Sequence, residues 1–391
     1  MNARLVTMPK SLLQISIIVL GILLVTSTLF YFQNKYQNTF YSDIHEARKL
    51  GIKWIENNIL NDGLFLYTTN IETGEIPTTN NAIRQLMASR VIALESQSNS
   101  ELLSIHKKNL EYLMANWYRE ENGLGYVYFD EKSKLGANAM LLRTLVASPY
   151  FENYTNEAKA LARGIVHLQK ENGSFSAWYI APPYKYNEEY LLTFYSGEAL
   201  LALIEYYEKT GNEVYLEHAK RTASFYIKEY VDELEQNYYP AYVPWHTIAL
   251  NKLHKISTNE AYANAIFSMN DKLLELQDTK VHVGRFYDPR TPQYGNPHAS
   301  SDAVYTEGLA YAYEIAVLVG DEMRIKKYRD ALTIGVENLL KLQISEKING
   351  TPLSADKYVG ALRIRDKNPW IRVDTTQHTI DAFDKILDVL F

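Results

Sequence analysis

The chain has 391 residues, no cysteine and a formal net charge of −6, with 47% hydrophobic and 22% charged residues. That length allows one large core or two smaller ones. Missing cysteine excludes structural disulfides, thiolate chemistry and cysteine-ligated zinc, and the acidic balance argues against a nucleic-acid partner, which would need a basic face.

At the N-terminus, Leu12–Phe32 carries no charged residue. About 20 apolar residues span a bilayer as a helix. Arg4 and Lys10 before it, against Lys35 after it, place the short N-terminus in the cytoplasm. The stretch lacks the small-residue site of a cleaved signal peptide. The expected division is a cytoplasmic tail over 1–11, a transmembrane anchor over 12–32, a polar tether over 33–41 and one domain over 42–391. The domain would then lie outside the cytoplasmic (inner) membrane, in the periplasm or beyond.

After the tether the pattern is helical and repetitive. Thr193–Gly211 shows the unit: polar Tyr195, Ser196 and Glu198, then Ala199 through Ile204 without a polar break. A surface helix would keep one polar face, so this one should be buried on every side. Similar apolar helices with polar mouths are predicted to start near Thr79, Gly136, Tyr195, Val243, Ser300 and Thr375. Amphipathic helices are predicted between them, over about 42–59, 100–118, 154–170, 212–232, 258–277 and 322–343. The junctions recur as well: Asn61-Asp62-Gly63, Asn122-Gly123, Asn172-Gly173, Val283-Gly284 and Val359-Gly360. Each glycine is expected to take a positive φ that ends the outer helix and turns the chain. The fourth junction, Glu235–Tyr242, has no glycine.

Six such hairpins would close into a double ring. The pattern resembles the (α/α)6 barrel of the six-hairpin glycosidase-like superfamily, over Ser42 to Phe391. The turn Gln169…Asn172-Gly173-Ser174-Phe175 also resembles those of terpene-cyclase and prenyltransferase toroids, though no Asp-rich ionisation motif or zinc set accompanies it. The expected fold is therefore all-α, an (α/α)6 barrel after one transmembrane helix.

In such a barrel the N-terminal ends of the inner helices converge on one face, where helix dipoles favour negative charge. The residues at the six mouths are then the candidate site. Catalytic candidates are Glu198, Glu307, Asp374, His378 and Tyr195, with Glu188 and Glu189 as further carboxylates. Substrate-binding candidates are Arg84, Asn81, Asn138, Trp245, His246, Asp302, Tyr305 and Gln377. Each has a structural alternative: Asn80, Ser301 and Asp374 as N-caps, Glu198 and Glu307 as dipole partners, His246 and His378 as satisfied core histidines. The loops Trp178–Tyr190 and Phe286–Ser300, rich in aromatics and charge, are expected to wall the cleft.

The resemblance implies carbohydrate chemistry. Glycoside hydrolysis needs a protonated carboxyl and a second, ionised one, for which Glu198, Glu307 and Asp374 are the candidates. A polysaccharide lyase or uronic-acid C5-epimerase would instead use Tyr195, Tyr305, His246 or His378 as base and acid, with Arg84 and Arg372 on the sugar carboxylate. A third reading is a membrane-tethered glycan-binding or assembly subunit. No cofactor is expected. The nine histidines are dispersed, so no metal site is expected either. The expected partners are a polysaccharide or oligosaccharide and, through the anchor, the membrane.

Overall fold

The computed structural model describes residues 26, 35, 37–345 and 355–391. The proposed tail, nearly all of the proposed anchor and much of the tether lie outside the described residues. Among the described residues no helix is long and apolar enough to cross a membrane. The chain divides into two compact units, residues 1–46 and 47–391. The described end of the first unit, 37–46, is helical.

The second unit alternates two kinds of helix. Outer helices are α1 (47–57), α3 (Ser100–Asn116), α5 (Thr155–His167), α7 (Glu213–Ile227), α10 (Glu260–Leu273) and α12 (Glu322–Leu342). Inner helices are α2 (Ala82–Glu95), α4 (Leu135–Ala147), α6 (Glu188–Thr210), α9 (Tyr242–Ser257), α11 (Ala299–Val319) and α14 (Val373–Leu390). The short helices α8 (Leu234–Asn237) and α13 (Ala355–Tyr358) sit in junctions. Each inner helix packs on the next, and α14 returns to α2, so the inner ring is closed. In α6 every residue from Tyr195 to Tyr206 is buried, as its unbroken apolar run requires.

The expected starts hold within a few residues at five inner helices. The third differs. Helix α6 starts at Glu188, two turns before Tyr195. The signal lies in the sequence Asn187-Glu188-Glu189: Asn187 caps the helix by accepting from the Tyr190 N–H (3.1 Å), and both acids fall in its first turn. What reads as the end of a loop is therefore helix, and Glu198 lies nearly three turns inside it. The terminal dipole fades within a turn, so it does not stabilise a charge on Glu198.

The glycine junctions take the expected positive φ, but they turn the chain some residues beyond the outer helices, which end at 57, Asn116, His167, Leu273 and Leu342, rather than ending them. Gly63, Gly123, Gly173, Gly284 and Gly360 have φ of +98°, +75°, +95°, +90° and +92°. The extended residues that follow are pinned through one backbone N–H each. Phe65 donates to Gln85 Oε1 (3.0 Å), Val127 to Asn138 Oδ1 (2.8 Å), Phe175 to the Tyr226 hydroxyl (3.3 Å), Phe286 to Asp302 Oδ1 (2.9 Å) and Leu362 to Thr376 Oγ1 (3.1 Å). A buried N–H needs such a partner, and four of the five are supplied by polar side chains in the first turn of an inner helix. At the junction without glycine, five π-helical residues, Lys228–Asp232, and α8 replace the turn.

Among the described residues six short strands tie the rim. β1 (Thr68–Asn70) pairs antiparallel with β6 (Trp370–Arg372), β2 (Tyr118–Glu121) with β3 (Leu124–Val127), and β4 (Ser133–Lys134) with β5 (Trp178–Ile180). The first pair joins the first and last hairpins, with Arg372 opposite Thr68.

At Gly284 an added Cβ would overlap the Ile334 carbonyl oxygen on α12, whereas at Gly211, also at positive φ (+69°), it would meet nothing within 4 Å. Gly211→Ala should cost about 1 kcal/mol, the left-handed penalty alone. Gly284→Ala adds overpacking against backbone and should cost about 2–4 kcal/mol in all. Denaturant unfolding of the two variants checks the difference.

Candidate active site

A cavity of about 270 Å³ opens where the inner helices begin. Helix α2 supplies Ile83, Arg84 and Met87, with its cap Asn81. Helix α6 supplies Tyr190, Leu191, Phe194, Tyr195 and Glu198, and α9 supplies Trp245. Helix α11 contributes Ser300, Ser301, Val304 and Tyr305, and α14 Asp374 and His378. Helix α4 contributes an absence. An added Cβ at Gly136 would overlap the Glu198 carboxyl and come within 2.6 Å of the Tyr195 ring. The Glu198 carboxyl therefore lies against bare α4 backbone, and glycine is what leaves it room.

Two carboxyl groups in this cleft have opposite electrostatics. Glu198 is 2% exposed, and its Oε2 has no hydrogen-bond partner among the described residues. Burial pushes it up to about 8, against weaker opposing pulls from Arg143 and Lys134. It is a carboxylic acid at neutral pH. Asp374 is 3% exposed, and burial alone would raise it too. Arg84 and Arg372 outweigh burial and hold it far below the usual carboxylate range. Arg84 Nε lies 3.0 Å from Asp374 Oδ2, and Arg372 grips both carboxylate oxygens, with Nη2 donating to Oδ2 at 2.7 Å. The β1–β6 pairing builds this cluster: Val373 N–H donates to the Tyr67 carbonyl (2.9 Å), and the Tyr67 hydroxyl accepts from Arg84.

The other cleft residues are aromatic or neutral. The Trp245 indole meets the His378 ring (centroids 5.9 Å) and carries Arg143 on a face (5.7 Å). Burial lowers the pKa of His378, which favours a neutral imidazole. Burial raises the phenols of Tyr195 and Tyr305, which stay protonated.

Several sequence candidates lie elsewhere. Asn138 and Asp302 each use Oδ1 on a junction strand, Asp302 Oδ2 accepts from Asn338 on α12, and neither residue lines the cleft. Burial brings Asp302 up to about 7. His246 is a core histidine: its Nδ1 lies 2.8 Å from the Tyr242 carbonyl and its ring packs on Tyr226 and Tyr230, so burial takes it down to about 4. Gln377 donates to Asp381 below the cleft. Glu307 also sits below. Burial first, and Asp381 second, push its carboxyl well above the ordinary value. The N-cap positions of α2, α11 and α14 are held by Asn81, His298 and Arg372 rather than Asn80, Ser301 and Asp374, and Arg372 makes no side-chain cap bond. The two stretches expected to wall the cleft, Trp178–Tyr190 and Phe286–Ser300, reach its lining only through Tyr190 and Ser300, which belong to the first turns of α6 and α11 and not to loops.

Beneath the cleft lies a buried charged layer that reading the helix mouths alone does not reach. Arg143 on α4 grips Glu205 on α6 through two bonds (2.8 and 2.9 Å). Arg90 on α2 lies between Glu205 (3.6 Å) and Asp381 on α14 (3.5 Å). Burial would raise Glu205, but Arg143 and Arg90 bring it down to about 2. A sequence signal exists: Glu198/Glu205, Glu307/Glu314 and Asp374/Asp381 are all seven apart, two turns along one face. Glu307, His378 and Asp381 bring candidate ligand atoms within 4.8 Å of one another. Arg90 already supplies positive charge beside Asp381.

No protein-family model matches the chain, and no curated protein matches its sequence. Solved structures do match. A D-mannose isomerase superposes with a TM-score of 0.65 at 14% identity, over 88% of this chain and 97% of that one. An unsaturated glucuronyl hydrolase specific for heparin gives 0.63 at 9%, over 89% and 98%. An inactive variant of the α-1,6-mannanase GH76A of Salegentibacter sp., in complex with α-1,6-mannotriose, gives 0.62 at 11%, over 90% and 99%. All are (α/α)6 barrels of the six-hairpin glycosidase-like fold, and this chain has that fold. At these identities the likeness carries the fold and leaves the reaction to the site.

The buried layer predicts strong coupling. Arg143→Met and Glu205→Gln should each destabilise by about 3 kcal/mol, because each strands a buried partner. The double variant should cost clearly less than their sum, as a denaturant double-mutant cycle would measure. A second outcome concerns pH. Folded Glu198 keeps its proton until about pH 8, whereas its ordinary value is 4.5. The folded chain thus binds more protons than the unfolded chain across that window, and stability falls as pH rises through it. Relative to Glu198→Gln, the parent should lose on the order of 3 kcal/mol between pH 5 and pH 8.

Proposed function

We propose that the chain is a carbohydrate-active enzyme, a glycoside hydrolase acting on an envelope or extracellular polysaccharide, held at the outer side of the cytoplasmic membrane by residues 12–32. One observation carries the hydrolase reading: a single cleft holds a protonated carboxylic acid, Glu198, and an ionised carboxylate, Asp374. Environments that push two carboxyl groups apart in this way mark out acid and base roles. Glu198 gives its proton to the departing glycosidic oxygen. Asp374 stays charged, orients the attacking water or offsets the positive charge that develops on the sugar. Trp245, Tyr190 and Phe194 offer ring faces to sugar, while Ser300 and Ser301 offer hydroxyls. Support for the anchor is the uncharged stretch Leu12–Phe32 and the basic residues preceding it.

Elimination or epimerisation of a uronic acid fits less well. Arg84 and Arg372 are already paired with Asp374, so neither is free to neutralise a sugar carboxylate without giving up that partner. The phenols of Tyr195 and Tyr305 are driven away from the anionic form that a base requires.

Purified chain is to be screened for release of reducing sugar from neutral and acidic glycans. Glu198→Gln should lower kcat by about 10²–10⁴-fold, the usual worth of a general acid, and the parent's kcat/KM should decline above about pH 8 as Glu198 ionises. An unsaturated, ultraviolet-absorbing product, with activity surviving in Glu198→Gln, would instead establish a lyase.

A further inference from the structure

A second cavity, of about 320 Å³, lies beside the start of α11. His298 and Ala299 line it, while the next two residues, Ser300 and Ser301, line the cleft. Only the first turn of α11 separates the two spaces.

The polar groups around this cavity are unbalanced toward donors. His298 caps α11 through Nδ1, which accepts from the Ser300 N–H at 3.1 Å. In the neutral ring the proton therefore sits on Nε2. That buried Nε2 has no hydrogen-bond partner among the described residues, and neither has Nε of Arg285, also on the cavity wall. Leaving buried donors unpaired is costly. Asp302 lines the same space but bonds to neither of them: Oδ1 accepts from Phe286 N–H (2.9 Å) and Oδ2 from Asn338 Nδ2 (3.1 Å). Full positive charges on Arg285, Lys341 and Arg365 exceed the negative charges available on Asp302 and Asp366.

We propose that this cavity is an oxyanion site, for a carboxylate or phosphate group, in which Arg285 and His298 donate through Nε and Nε2 while Lys341 and Arg365 supply charge at the mouth. The site does not depend on the hydrolase reading of the neighbouring cleft. If that cleft takes a glycan, an acidic substituent on the next sugar has a place to sit one helical turn away. A planar guanidinium and an imidazole N–H suit a flat or tetrahedral oxyanion, and a neutral hydroxyl would leave the charge unmatched.

Isothermal titration of the purified full chain at low salt is the test, with three probes: inorganic phosphate, glucuronate and, as neutral control, glucose. At least one anion should bind with a dissociation constant near or below about 1 mM, and glucose should not bind at this site. Phosphate binding alone points to a free or ester phosphate as the ligand, and glucuronate binding points to a sugar acid. Lys341 and Arg365 are both exposed, so K341M/R365Q should fold normally by circular dichroism yet weaken the anion about tenfold or more. Arg84→Met, in the cleft, should leave anion binding intact. Two results overturn the proposal: no uptake of either anion at about 10 mM, or binding abolished by Arg84→Met and unaffected by K341M/R365Q, which would put the anion in the cleft.

Discussion

Closure of the inner ring is the constraint on which the rest depends. Five helix–helix contacts follow the order of the chain, but the sixth must join α14 to α2 across nearly the whole sequence. The β1–β6 pairing makes that join at the rim, and the packing of α14 on α2 makes it along the barrel. The same join brings Arg372 and Asp374 from the last hairpin to Tyr67 and Arg84 from the first. A barrel opened at this seam would lose its ionised carboxylate cluster and one wall of its cleft together.

The interior is charged where a helical core would ordinarily be apolar. Arg90 and Arg143 offset Glu205 and Asp381, and the helices that carry them are locked in register by the pairing. Buried ion pairs add little net stability compared with well-packed apolar groups. Their consequence here is electrostatic: Arg143 lies beneath Trp245 and faces Glu198, yet its pull does not outweigh the burial of Glu198. Asp374, with two guanidinium groups on its own oxygens, goes the other way. The division between a proton-holding and a charged carboxyl follows from whether an arginine reaches the oxygens directly.

Much of the architecture was legible residue by residue. The glycines at 63, 123, 173, 284 and 360 marked the turns between outer and inner helices because only positive φ makes those turns cheaply. The run Ala199–Ile204 marked a helix with no solvent face. Where reading failed, a local signal was competing with another. Asn187-Glu188-Glu189 is a helix start, but Pro182 and Pro183 and the aromatics before it read as loop. Asn138 and Asp302 stood at helix mouths like the cleft residues, yet each faces its own junction strand. Helical position alone cannot tell the inward face from the lateral one by a rotation of one residue.

By itself the sequence determined the helical hairpin repeat, the turns and the burial of the inner helices, because these depend on local backbone preference and on the periodicity of apolar side chains. It also determined which titratable residues were available to a site. Only the tertiary structure decided which of them meet. Glu198 and Asp374 share a cleft because ring closure sets α14 beside α2, with α6 across from them. Glu307 lies outside the cleft lining because α11 turns it toward Asp381 and Arg90 in the buried layer, although Tyr305 two residues earlier reaches the cleft. Protonation is decided at that level too, since it depends on which arginine reaches which oxygen and on how much water is excluded.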